Sequence, residues 1–465
     1  MAAVSQHSTQ PGPMASPLPA GGAGDAFAFD AAGTVARATF ASQVRALAAR
    51  LPEAGHAVNL CEDRYRFLVA FCAAAVRGQV NLLPPTRTRA AIDEVRAQYP
   101  GSYCIGDGEA CGCDAALADP AAHFVHLPDV LPALDGAPLR IDDAAVVAIG
   151  FTSGSTGAPK PNAKTLGSFR TSTAQNFAAL AGLWPDGAMP QVVATVPPQH
   201  MYGVELSVML PLLTGAAVHR DRPFFPGDIA RALHEADGAR LLVTTPVHLR
   251  ALLASDIALP PLAGIVSATA PLPQALAAEA EARFGCEVRE TFGSTETCIF
   301  ASRRTARDEA WTPFPGVQLQ PRPDGTRVGA AHLAQPVLLA DVVEMLDDGR
   351  FVLRGRQADL LEIAGKRGSL AELTRRLLEI PGVRDGAVFQ LDDEAAGVRR
   401  IAAAYASDTL DEAAVREALR RSVDPVFLPR PLRRVASLPR NETGKLPREA
   451  LLRLLQRSEN EPIAR

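Results

Sequence analysis

"FTSGSTGAPK", residues 151–160, sets Thr152, Ser153, Ser155 and Thr156 among Gly154 and Gly157 and closes on Lys160. It follows directly on the apolar run "AAVVAIG" (144–150). A core has no use for so polar and pliant a run. A strand that feeds a Gly/Ser/Thr loop presents backbone N–H groups and hydroxyls to an anion, and a lysine adds charge. The spacing is not that of the nucleotide-binding loop GxxxxGK[ST]. Here Gly154 and Gly157 are three apart, and Lys160 stands three further on. The expectation is a phosphate-binding loop at the end of a strand.

Outward from that loop, short apolar runs alternate with Ala-rich helical ones. "AAVVAIGF" (144–151), "QVVATVP" (191–197), "GAAVHR" (215–220), "ARLLVTTP" (239–246) and "LAGIVSA" (262–268) read as strands. Segments 165–182, 228–236, 246–254 and 273–284 read as helices between them. That alternation predicts an α/β fold with largely parallel sheets. From about 312 the pattern turns to hairpins, with Asp324-Gly325 and Asp348-Gly349 as turns. Beyond Arg356 it becomes mixed α+β: Ser369 and Glu372 frame a capping box for 369–380, strands fall at 386–393 and 399–407, and a helix at 411–423. The expected organisation is a disordered Pro/Gly/Ala-rich tail (1–25), a large domain (26–355) of parallel-sheet α/β layers with a β-rich subdomain, and a small mobile α+β domain (356–465).

Net charge is −4, so no basic field exists to hold nucleic acid or an anionic membrane. The seven cysteines are an odd, scattered set without CxxC pairs, which reads as reduced thiols in a cytoplasmic protein. Cys111 and Cys113 form one CxC, read as two free thiols in a loop. The run "LSVMLPLLTGAAV" (206–218) is too short to span a bilayer and reads as a buried helix and turn.

Three further stretches carry chemistry. In "ETFGSTET" (290–297) Phe292 can face a base, Gly293 lets a backbone approach, and Glu296 is an oxygen ligand suited to Mg²⁺. Asp341 and Arg356 flank a hairpin, and a carboxylate with a guanidinium can share the hydroxyls of a ribose. Lys445, in "LPRNETGKLPREAL" (438–451), sits in a polar turn before a short helix.

Singly each signal is modest. In this order and spacing they resemble the adenylate-forming superfamily of acyl- and aryl-CoA synthetases, luciferases and peptide-synthetase adenylation domains. The resemblance covers roughly residues 40–455, and "PPQHMYG" (197–203) and "SATAPL" (267–272) fall where that family has similar segments. It implies ATP, Mg²⁺ and a carboxylic acid as reactants, and the thiol of CoA or of the phosphopantetheine of a separate acyl carrier protein as acceptor. It implies that Thr152, Ser153, Gly154, Ser155, Thr156, Gly157 and Lys160 hold the β- and γ-phosphates. Thr291, Phe292 and Gly293 would line the adenine and acyl pockets, Thr295 would contact the α-phosphate, and Glu296 would take Mg²⁺. Asp341 and Arg356 would bind the ribose. Lys445 would reach the carboxylate, and His200 would stand at the mouth of the acyl pocket. Tyr202, Gly203, Ser267, Thr269 and Cys298 are the expected pocket-lining groups.

Two departures stand out. The family usually has Asp or Lys two residues after the arginine of its GR motif, where this chain has Ala358, with Asp359 next. The usual TGD before the ribose aspartate reads Leu339-Ala340-Asp341. Amino-acid-activating members carry an aspartate soon after the histidine motif, and this chain has His200-Met201-Tyr202-Gly203-Val204. The expected substrate is therefore an aryl or acyl acid without an α-ammonium. Glu205 could supply a charge there, at a cost unless paired. The alternatives are adenylation with a non-thiol acceptor, and a non-catalytic nucleotide- or acid-binding relative. The sequence favours neither CoA nor a carrier protein, and names no particular acid.

Overall fold

The computed structural model describes residues 17–108, 124–153, 159–356, 359–363, 366–391, 400–441, 444 and 446–456. The chain divides into two compact units. One comprises Met1–Thr173, Met189–Val192 and Pro198–Arg222; the other comprises Ala174–Ala188, Val193–Pro197 and Pro223–Arg465.

In the first unit six strands lie in the order Phe124–His126, Tyr103–Gly106, His56–Asn59, Val80–Leu83, Val146–Ser153 and Pro159–Thr165. The first five are parallel, and the last turns back antiparallel on its neighbour. Parallel pairing needs crossovers, and two helices supply them. The helix Arg64–Val76 starts where the Asp63 side chain accepts from the Arg66 amide, and Arg89–Gln98 where Thr88 does the same for Ala91. Phe67, Leu68, Val69 and Phe71 of the first helix are all buried, as expected for a helix packed on a sheet face. A second set of strands in this unit runs Gly33–Ala36, Ala26–Asp30 and Ala217–His219, the last pairing in parallel with residues 191 and 192.

In the second unit Ala239–Thr244, Gly264–Ser267 and Glu287–Ser294 are parallel, and Cys298–Arg303 and Thr312–Pro313 continue antiparallel. The DG turns close the hairpins Gln318–Arg322/Gly325–Gly329 and Asp341–Met345/Phe351–Arg356. The last part of this unit has its own sheet. Asp385–Gln390 and Ile401–Ala406 pair antiparallel, and Leu432–Val435 joins in parallel. Leu373, Leu377, Tyr405, Val415 and Leu419 pack on one face, and Phe389, Leu438 and Leu451 on the other. Ser369 caps the helix Leu370–Leu378 through the Glu372 amide, and Asp411 caps Glu412–Ser422.

The α/β architecture, its parallel sheets and the hairpins match the sequence expectation, with strand and helix ends moved by a few residues. Two differences have physical causes. Leu18 is buried and bonds its amide to Leu139, and the Ala20 amide bonds to Leu212, so ordered contacts begin before residue 26. Residues 204–209 are not plain α-helix: Val204–Met209 is a π-helix that runs into Leu210–Leu213. Pro211 has no N–H to give to the preceding turn. The Leu210 amide reaches back to the Glu205 carbonyl. The Ser207 hydroxyl satisfies the Gly203 carbonyl at 2.7 Å. Arg37, almost fully buried, takes the Pro211 and Ala216 carbonyls at 3.1 and 2.7 Å. No helix among the described residues is long and apolar enough to cross a membrane.

Candidate active site

The first unit carries the loop on which the sequence reading turned. Val146–Ser153 and Pro159–Thr165 pair so that Thr152 stands opposite Lys160, and Ser153 opposite Pro159. Cross-strand partners share a face, so a hydroxyl and an ammonium are offered together. Gly154, Ser155, Thr156 and Gly157 lie outside the described residues, as do Cys111 and Cys113.

In the same unit His200 is the N-cap of the helix Met201–Gly203, in extended conformation. Tyr202 and Gly203 are buried in the first turn. The π-helix that follows places Glu205 at 1% exposure, where it accepts the Ser172 hydroxyl at 2.7 Å. Arg64, on the helix Arg64–Val76, reaches the Ser207 hydroxyl, and Arg87 reaches Gln199 and the Cys61 carbonyl. π-Bulges of this kind recur at functional sites.

The second unit carries Ser267, Thr269 and the stretch 291–296 toward the carboxyl ends of its parallel strands, where open α/β sheets bind ligands. Thr244 pairs with Ser267, and Ser267 with Glu290. Beyond the strand ends lies a buried polar cluster that the sequence reading missed. The Thr195 hydroxyl is 3.0 Å from that of Thr244 and 3.2 Å from Nδ1 of His248, and Thr245 is 3.0 Å from the same nitrogen. The doubled threonine in "VTTP" at a strand end was the available signal. The Ser267 and Thr291 hydroxyls are buried without a hydrogen-bond partner among the described residues. Thr269 and Cys298 both adopt positive φ, 78° and 58°. Such strain in non-glycine residues gathers at functional sites.

Thr295, Glu296 and Thr297 form the turn between Glu287–Ser294 and Cys298–Arg303. The turn is heavily braced. Thr297 accepts from the Ser294 amide at 3.1 Å and gives its hydroxyl to the Cys298 carbonyl at 2.9 Å. His332, from 35 residues away, lies 2.7 Å from the Thr297 carbonyl, with its other nitrogen 3.2 Å from Gln175 Oε1. Phe292 is held by edge contacts with Phe300 at 5.2 Å and by Trp311 at 5.3 Å. A Cβ at Gly293 would lie 2.2 Å from the Cys298 carbonyl oxygen, so the hairpin admits glycine alone there. Asp341 stands opposite Arg356 in the last hairpin. Of the expected pocket-lining groups, Tyr202, Gly203, Ser267 and Cys298 are buried, and Thr269 keeps exposed surface. Lys445 and Ala358 lie outside the described residues.

Among the described residues no group of three His, Cys, Asp or Glu side chains could hold a metal by itself. Glu296 stands as a single carboxylate at the tip of the braced turn.

A family model described as "AMP-binding enzyme" matches residues 22–329. The chain belongs to the AMP-binding enzyme family. It is 32% identical over 296 residues to a 4-coumarate–CoA ligase of Rhodobacter capsulatus, spanning 63% of this chain and 73% of that one. It is 29% identical over 376 residues to a probable 2-succinylbenzoate–CoA ligase of Mycobacterium tuberculosis, spanning 72% and 91%. Among solved structures, ATP-bound MatB from Rhodopseudomonas palustris superposes with a TM-score of 0.80 at 19% identity, covering 93% of this chain and 96% of that one. At that identity the likeness speaks for the fold. Membership gives the chemistry at a coarse level: ATP-dependent adenylation of a carboxylic acid, followed by thioester formation.

Proposed function

We propose that this AMP-binding enzyme activates an aryl carboxylic acid without an α-ammonium group and passes the acyl group to the thiol of CoA, with a carrier-protein phosphopantetheine as the competing acceptor. The observation that carries the acid class is Glu205. It is the one carboxylate in the segment 200–209 and is buried, with an oxygen accepting the Ser172 hydroxyl, and that segment holds no aspartate to receive an ammonium. The aromatic acids named for the two relatives agree with an aryl substrate.

The chemistry asks for what these residues supply. A carboxylate must approach a polyanion, and cations must offset the repulsion. In this reading Thr152, Lys160 and the hydroxyls of 153–156 stabilise departing pyrophosphate. Asp341 and Arg356 fix the ribose, and Glu296 holds Mg²⁺, which would neutralise phosphate charge. Lys445 draws the carboxylate to the α-phosphorus. Residues 356–465 act as a lid that brings Lys445 in for adenylation and withdraws it for thioester formation. The bound adenylate is an anhydride, so His200 and Tyr202 would serve by closing the acyl pocket to water.

Carboxylate-dependent ATP–pyrophosphate exchange over aryl and aliphatic acids tests the proposal, with Lys445→Ala as control. Exchange with aryl acids, reduced about 10²–10³-fold in the variant, is expected. Exchange with aliphatic or amino acids alone would overturn the acid class.

A further inference from the structure

The loop before Lys445 is tied down by one side chain. Arg440 grips the Asp385 carboxylate with two parallel bonds, Nε to Oδ2 at 2.8 Å and Nη2 to Oδ1 at 2.7 Å. Its remaining nitrogen, Nη1, donates to the Gly444 carbonyl at 2.7 Å. Both partners are largely buried, with 18% and 16% of the side chains exposed. A bidentate pair of this kind is strong and fixes geometry as well as distance. Asp385 begins an edge strand of the small sheet, paired along its length with the central strand Ile401–Ala406, so the loop is tied to that sheet. The loop also closes on itself, with the Gly444 amide donating to the Asn441 carbonyl at 2.8 Å.

The clamp has a place to dock. A Cβ on Gly444 would lie 3.4 Å from Val247 and 3.8 Å from the Thr269 hydroxyl. Among the described residues Thr269 is one of two non-glycine residues at positive φ. Arg250, on the helix Pro246–Leu253, lies within electrostatic range of Asp385, Arg440 and Arg384. Asp385 is thus paired with Arg440 and lies beside Arg250, while Arg384 is taken up by Asp408 at 2.9 Å. Without the Asp385 charge, Arg250 and Arg440 are like charges with no shared anion.

We infer that Asp385 and Arg440 are positioning residues for adenylation: their ion pair sets the backbone before Lys445 against Thr269. This rests on the reading of Lys445 as the adenylating lysine. The clamp serves the first half-reaction and has no part in the second, in which the lysine has left the carbonyl to the thiol.

Asp385→Asn and Arg440→Lys test this in the full-length protein. Lysine keeps the charge but cannot span Asp385 and Gly444 together. Adenylate formation from ATP and acid should fall by about 10²-fold, as a misplacement of about 1 Å can cost. Thioester formation from supplied acyl-adenylate and CoA should stay within about twofold of the wild type. Amide hydrogen exchange gives a readout that needs no acid: the Arg440 and Gly444 amides should lose protection in both variants, while 385–390 keep theirs and show that the sheet still folds. Equal losses in the two half-reactions, or unchanged protection at Arg440 and Gly444, would overturn the clamp. A wild-type protein without pyrophosphate exchange, but with protection lost in the variants, would sink the functional proposal and leave the clamp standing.

Discussion

Asp341 and Arg356 are direct partners across the hairpin Asp341–Met345/Phe351–Arg356. The pairing steps from Val342↔Gly355 to Val343↔Leu353, so one residue is extra on the second strand. Gly355, at φ 109°, absorbs that bulge directly before Arg356. Bulges are common beside active sites. The pairing sets positions 341 and 356 side by side on the backbone.

Asp341→Asn keeps the shape and removes the charge. A hydrogen bond to a charged group contributes about 1.5–3 kcal/mol, so AMP binding should weaken by about 10–100-fold. Calorimetric titration of AMP reads this directly. Unchanged affinity would remove Asp341 from the nucleotide site.

The motif positions were legible because each is local. Strand, loop and lysine at 146–160 follow one another in sequence, and so do the DG hairpins and the helix caps at Ser369 and Asp411. What was not legible is long-range. Nothing near Thr297 announces that His332 will brace it, nor does Asp385 announce Arg440, 55 residues on. The π-turn at 204–209 needed Pro211 and the buried Arg37 together, and Arg37 comes from a helix far earlier in the chain. The left-handed Thr269 and Cys298 follow no residue preference, since tertiary packing imposes them.

Gly293→Ala tests whether the braced turn matters to chemistry. The new methyl would meet the Cys298 carbonyl, so the two strands must part at the point where Thr295 and Glu296 are presented. Overpacking of this kind costs about 1–3 kcal/mol. Pyrophosphate exchange should fall far more than the melting temperature does. A variant with wild-type exchange would show that the turn tolerates being moved.

Alkaline pH should destabilise the fold through its buried thiols and phenols. Burial pushes Cys72 up to about 12 from 9.0, and raises Cys61 well above the same starting value. Burial likewise lifts Tyr405 to about 12 and raises Tyr65 as well. The folded state keeps these protons while the unfolded chain releases them above about pH 9. Unfolding therefore becomes easier as pH rises from 9 toward 12, and the stability is fully present below 9. At pH 10, one unit above its ordinary value, Cys72 alone accounts for a loss on the order of 1 kcal/mol. Melting temperatures from pH 7 to 11 should hold level to about 9 and then drop, with a shallower drop in Cys72→Ala. A level curve to pH 11 would mean that these groups ionise without unfolding.

Thr291 offers the sharpest reading of the substrate. Its hydroxyl is buried within the strand Glu287–Ser294 and has no hydrogen-bond partner among the described residues. A buried unpaired hydroxyl costs about 1–3 kcal/mol, which is worth keeping in a protein where a ligand supplies the partner. Thr291→Val retains the branched shape without the oxygen, so the free protein should melt slightly higher. If the acid carries a polar substituent that meets this hydroxyl, its kcat/KM should fall by tenfold or more, while that of the analogue lacking the substituent holds. A site built to hydrogen-bond its substrate discriminates in this asymmetric way, and an apolar pocket does not. Equal effects on both acids would leave Thr291 facing the nucleotide or the core, and would direct the search for specificity to Thr269.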